Sequence, residues 1–175
     1  MTKRILTTAL LMMAKMGGAE AHPDHGNAIG LMHGFIHPLT GWDHIVAMIA
    51  VGFFAATLSG RAVWAVPATF VAMMAVGGAW GMAAMPLPFV EIGIMTSVVV
   101  LVGVAVLRWN ASLYAAMTLC GFFAVFHGFA HGAEMPTEAA GLTYAAGFIV
   151  ATALLHGVGL AVGMFASRSR VALKV

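Results

Sequence analysis

The sequence predicts an all-α integral membrane protein: a small bundle of about five transmembrane helices behind a cleavable signal peptide. Three observations predict it. Of 175 residues, 62% are hydrophobic and only 8% charged, with a mean hydropathy of +0.98; soluble domains carry about 25% charged residues, enough to clothe a wet surface. The apolar residues are gathered into long stretches near the roughly 20 residues a spanning helix needs. Those stretches are too long and too unalternating for barrel strands, and backbone inside a bilayer must satisfy its own hydrogen bonds. The length leaves no room for an added soluble catalytic or nucleotide-binding domain, and no Gly-rich phosphate loop is present. The single cysteine, Cys120, excludes an internal disulfide.

Taken in order, residues 1–21 read as a secretory signal. Lys3 and Arg4 form a basic n-region, Ile5 to Ala14 a short h-region, and Ala19-Glu20-Ala21 a small-x-small cleavage pattern. Lys15 interrupts the apolar run too early for a good span. Residues 22–31 then form an exported segment bearing His22 and His25, and residues 32–175 the transmembrane domain. Its expected spans are Met32–Leu58, Ala62–Met85, Val90–Leu107, Ser112–His131 and Ala139–Ala166. The breaks between them are Ser59-Gly60-Arg61, Pro86-Leu87-Pro88, Arg108-Trp109-Asn110 and the stretch around Pro136. Arg61, Arg108 and the group Arg168, Arg170 and Lys174 fall on alternate sides, which the positive-inside rule places in the cytoplasm. The mature N-terminus then lies outside and the C-terminus inside. Gly77/Gly81, Gly128/Gly132 and Gly159/Gly163 are small-xxx-small pairs that let helices approach closely. No internal repeat supports an inverted-repeat architecture.

The polar residues within this apolar chain carry the chemistry. His37-Pro38-Leu39-Thr40-Gly41-Trp42-Asp43-His44 opens directly into the first span. A carboxylate at the centre of a span costs about 2.5–3.5 kcal/mol, less near an interface, and so marks function by default. Neutral His with ionised Asp is the ligand set of a borderline divalent metal. By the charge-derived topology His33, His37, Asp43, His44, Glu91, His127, His131 and Glu134 all lie toward the outer side, with His22 and His25 beyond them. His156 alone sits deeper, toward the cytoplasm. On a regular helix His33, His37 and His44 fall within about 40° of one another, and His127, His131 and Glu134 share a face. Asp43 is about 100° from His44. Pro38 and Gly41 provide for an irregular turn that could gather His37, Asp43 and His44 around one ion.

Plainer readings stand beside these. The first-span set could be a hydrogen-bonded knot between helices, His127 and His131 a structural pair, and His156 a packing residue. Glu91 could snorkel into headgroups, and His22 and His25 could belong to an ordinary tail. The fourteen methionines are scattered, without the ladder that a Cu(I) path would need.

The motifs resemble the HupE/UreJ nickel permeases found with hydrogenase and urease systems. The similarity rests on His37-Pro38-x-x-Gly41-x-Asp43-His44-x-x-Ala47-Met48-x-x-Val51-Gly52 and on Phe126-His127-Gly128-x-Ala130-His131-Gly132-x-Glu134. Gly147-Phe148-x-x-Ala151-Thr152-x-x-Leu155-His156-x-x-Gly159 and Glu91-x-Gly93-Ile94-x-x-Ser97 extend it. The resemblance implies secondary import of Ni2+, with Co2+ as the second candidate ion, across a bacterial inner membrane to supply nickel enzymes. It makes Glu91 a ligand and His156 a pathway residue, and it calls for no prosthetic group. The implied partners are the divalent ion and the lipid bilayer, without nucleic acid and with homo-oligomerisation left open. Rival classes are a membrane zinc-dependent hydrolase, a bis-His haem carrier and an accessory membrane protein without transport. Because a ligating imidazole must be neutral, uptake is expected to fall as pH drops through about 6.5.

Overall fold

The computed structural model describes residues 23–135 and 141–172, and side chains over 29–135 and 141–167. The expected signal peptide, its cleavage site and His22 lie outside the described residues, as does the side chain of His25. The described chain forms six α-helices: α1 Pro23–Ile36, α2 Trp42–Leu58, α3 Ala62–Met82, α4 Val90–Val106, α5 Leu113–Ala133 and α6 Gly141–Ala172. A 3-10 turn, His37–Leu39, separates α1 from α2.

The first expected span therefore does not run straight from Met32 to Leu58. The helix starts earlier, stops at Ile36, and resumes at Trp42 after a bend of 80°. Pro38 lacks the N–H a continuing helix would use, and Gly41 takes an extended conformation at the start of α2 (φ −90°, ψ 114°). The segment expected to be an exported tail is helical from Pro23 onward, part of a helix that meets α6 at Leu31 and Gly34. Three helices, Ala62–Met82, Leu113–Ala133 and Gly141–Ser167, are long and apolar enough to cross a membrane; the bent α1–α2 pair raises the number to four. α4 has 17 residues, or about 25 Å at 1.5 Å per residue, short of a hydrocarbon core of about 30 Å. Only 33–39% of the residues in an 18-residue apolar stretch of each of the three long helices are buried, so much of their apolar surface faces outward, where lipid would cover it.

Two close helix contacts hold the bundle. α3 and α5 meet along Gly77, Gly81, Gly128 and Gly132, where a Cβ on any of the four would run into the partner's backbone. The two glycine pairs seen in the sequence thus face each other. α6 is the spine: Gly159 meets α2 at Ile49, Gly52 meets the backbone of His156, and Gly147 meets α1 at Leu31. Between them Met48, Val51, Phe54, Val66, Phe70, Leu101 and Cys120 are fully buried.

The chain order places the polar and basic residues at opposite ends. Asp43 and Glu91 begin α2 and α4, and His131 ends α5, so the three gather at one end. Arg61 and Arg108 follow the far ends of α2 and α4, where the Arg108 guanidinium donates to Ser167 Oγ at 3.3 Å.

Candidate metal centre

At the acidic end, the 3-10 turn, α2, α4 and α5 enclose a cavity of about 210 Å³, lined by His37, Asp43, Glu91, His127, His131 and Glu134 among others. Six residues singled out in the sequence thus converge on one space, although they come from three separate stretches of chain. The volume holds several waters beside an ion, since one water needs about 10–15 Å³ on this measure. Among the described residues Asp43, Glu91 and Glu134 line it without an arginine or lysine, so its charge favours cations.

One subset reaches ligand spacing. His37, His131 and Glu134 each offer one ligand atom, all within 4.8 Å of one another. His37 Nε2 lies 3.2 Å from Glu134 Oε2. His131 Nδ1 is buried with no hydrogen-bond partner among the described residues, 3.9 Å from the same oxygen. Ligands about 2.1 Å from a metal stand at most about 4.2 Å apart; Glu134 Oε2 already lies within that span of both nitrogens, so at most a small approach of His37 and His131 closes the set on a single ion. This grouping differs from the expected His37, Asp43 and His44. The 80° bend swings His37 across to the end of α5, while Asp43 Oδ1 turns back to accept from the His44 backbone N–H at 2.8 Å. His44 is buried beneath the cavity.

The imidazoles form a series. The ring centroids of His37 and His131 are 4.9 Å apart, those of His131 and His44 4.8 Å, and those of His44 and His127 5.5 Å, each pair edge-on. His131 Nε2 and His44 Nδ1 share a hydrogen bond of 3.1 Å. Phe148 closes the series on one side, at 5.2 Å from His44 and 4.7 Å from His131. Deeper in, Phe70 stands between His127, at 6.1 Å, and His156, at 5.5 Å. Both ring nitrogens of His156 are buried without a partner among the described residues, an arrangement that costs about 1–3 kcal/mol for each unsatisfied group. His33 is exposed on α1, before the bend, and does not line the cavity; the helical face it was expected to share with His37 and His44 is broken by the turn.

Two hydroxyls belong to the site although the sequence reading proposed neither as a ligand. Ser97 Oγ lies 2.7 Å from His127 Nε2, and Thr152 Oγ1 lies 3.5 Å from His44 Nε2. Their signal was position: Ser97 falls in the buried stripe Ile94, Ser97, Leu101, Ala105 of α4, and Thr152 lies one turn from both Phe148 and His156. A hydroxyl on a core-facing stripe needs a partner there.

Residues 9–175 match the profile of the family described as HupE / UreJ protein. The chain is 41% identical over 172 residues to Protein HupE of Rhizobium leguminosarum bv. viciae, across 97% of this chain and 90% of that protein. No solved structure matches the chain.

Proposed function

The chain belongs to the HupE / UreJ family, and from that premise we propose that it is a secondary permease importing Ni2+ for the maturation of a nickel enzyme, hydrogenase or urease. Co2+ is the second ion its ligands suit. The observation that carries the reading is the cavity in which three carboxylates and three imidazoles meet at one end of an apolar bundle.

In this account the protein lies in a bacterial inner membrane with five spans, the bent α1–α2 pair serving as one and the short α4 as another. The cavity opens outward and the basic end faces the cytoplasm. A signal peptide is removed from the N-terminus, and His22 and His25 of the exported segment help to collect the ion. Carboxylates offset the cost of bringing a dication into apolar surroundings, while imidazoles replace its water. His37, His131 and Glu134 take the ion first, with Asp43 and Glu91 adding charge. The next donors inward are His44 and His127. Passage then continues past Phe70 to His156, whose two free nitrogens suit a transient stop. Release requires that no station bind tightly, and a shell that must shift to close fits that requirement. The alternative of a zinc-dependent hydrolase finds no support in the family assignment.

The test is uptake of radioactive Ni2+ by cells lacking other nickel importers, comparing the native chain with Asp43→Ala at equal membrane expression. Uptake that collapses in the variant supports the reading; no uptake above background by the native chain overturns it.

A further inference from the structure

We propose that Ser97 is a positioning residue that fixes the proton of His127 on Nε2, so that Nδ1 is the nitrogen His127 offers to a metal ion. The inference deepens the reading of the cavity as an ion site, and it follows from counting protons on one buried hydroxyl. Ser97 Oγ lies 2.6 Å from the carbonyl oxygen of Ile94. A carbonyl can only accept, so two oxygens this close need the serine's single proton between them. Ser97 Oγ also lies 2.7 Å from His127 Nε2. With its proton committed to Ile94, the hydroxyl can only accept there, and His127 must donate from Nε2. In a neutral imidazole the lone pair is then on Nδ1. His127 lines the same cavity as Asp43, Glu91 and His131.

Both partners are held in place. Ser97 is fully buried and His127 is 1% exposed, so no solvent competes for either group. Ser97 sits one turn inward of Gly93, where a Cβ would strike the ring of Phe126, so α4 and α5 are in close contact beside this bond. A histidine that ligates a metal through one nitrogen commonly has its other N–H held by a carboxylate, carbonyl or water, which sets its tautomer. Here a serine hydroxyl takes that place. Because it can accept but has no charge, it orients the ring without adding a further anion to a site that must release its ion.

The experiment uses full-length protein labelled with 15N-histidine, purified in detergent, with His127 signals assigned by their loss in His127→Ala. The native chain should show His127 protonated on Nε2. Ser97→Ala should shift the ring to Nδ1–H or to a mixture of tautomers, and should weaken Ni2+ binding, read by calorimetry, about 10–100-fold. Ser97→Thr, which keeps the hydroxyl, should restore both. Native His127 protonated on Nδ1 would overturn the proposal whatever the variants do. So would a Ser97→Ala protein that keeps Nε2–H and binds Ni2+ like the native chain. Native protein that holds Nε2–H but binds no Ni2+ overturns the ligand role of Nδ1 and the permease reading, and leaves the proton assignment intact.

Discussion

Replacing Gly128 with alanine should disturb the histidine cluster through the helix contact beneath it. A Cβ at this position would fall on the carbonyl oxygen of Met74 and 2.9 Å from the backbone nitrogen of Gly78. Both obstacles are backbone, so no side chain can swing away, and α3 and α5 must part. An ordinary carbon–oxygen approach is about 3.3–3.6 Å, which requires a separation of roughly 1.5 Å. Overpacking of this kind costs about 1–3 kcal/mol. α5 also carries His127 and His131, whose bonds to Ser97 and His44 measure 2.7 and 3.1 Å. A displacement of roughly 1.5 Å exceeds the tolerance of such bonds, so weaker Ni2+ binding should accompany the loss of stability. Gly103→Ala is the control: nothing lies within 4 Å of its Cβ, and alanine is favoured over glycine in a helix by about 1 kcal/mol. Thermal unfolding of the two purified variants beside the native protein gives the comparison. A Gly128→Ala protein as stable as Gly103→Ala would refute the packing argument.

Other outcomes follow from the cavity. Asp43→Asn keeps an oxygen for the His44 N–H and should hold stability within about 0.5 kcal/mol, whereas Asp43→Ala should lose about 1 kcal/mol, the usual worth of such an N-terminal acceptor; both should impair uptake, because both remove the charge. Glu134→Gln should raise the KM for Ni2+ about tenfold or more while leaving the fold unchanged, as an exposed residue at a helix end allows. His33→Ala should leave Ni2+ binding within twofold in calorimetry, because the bend takes His33 away from the cavity.

Much of this arrangement was legible in the sequence because membrane chains have few polar residues and each one stands out. The helical character of the chain and the use of Gly77/Gly81 and Gly128/Gly132 for close helix approach follow from apolar length and small-residue spacing, but not that these two pairs face each other. The clustering of Asp43, Glu91, His131 and Glu134 at one end follows from counting helix ends. What could not be read was direction in space. Pro38 and Gly41 announce a break, but not that it turns by 80° and carries His37 to Glu134 instead of to Asp43 and His44. Helical periodicity assumes one axis, so it kept His33 with the cluster. Ser97 stood in a quoted motif without a role for another reason: a serine is ordinary in a helix, and only the partner on α5 gives it a task.

The central claim is that this bundle passes Ni2+ through the cavity at its acidic end. The most direct measurement is influx of radioactive Ni2+ into liposomes carrying the purified native chain, His131→Ala or no protein. The account predicts accumulation with the native chain and the protein-free rate with His131→Ala at equal incorporation. Native liposomes no faster than empty ones, or a His131→Ala protein as fast as the native, would contradict it.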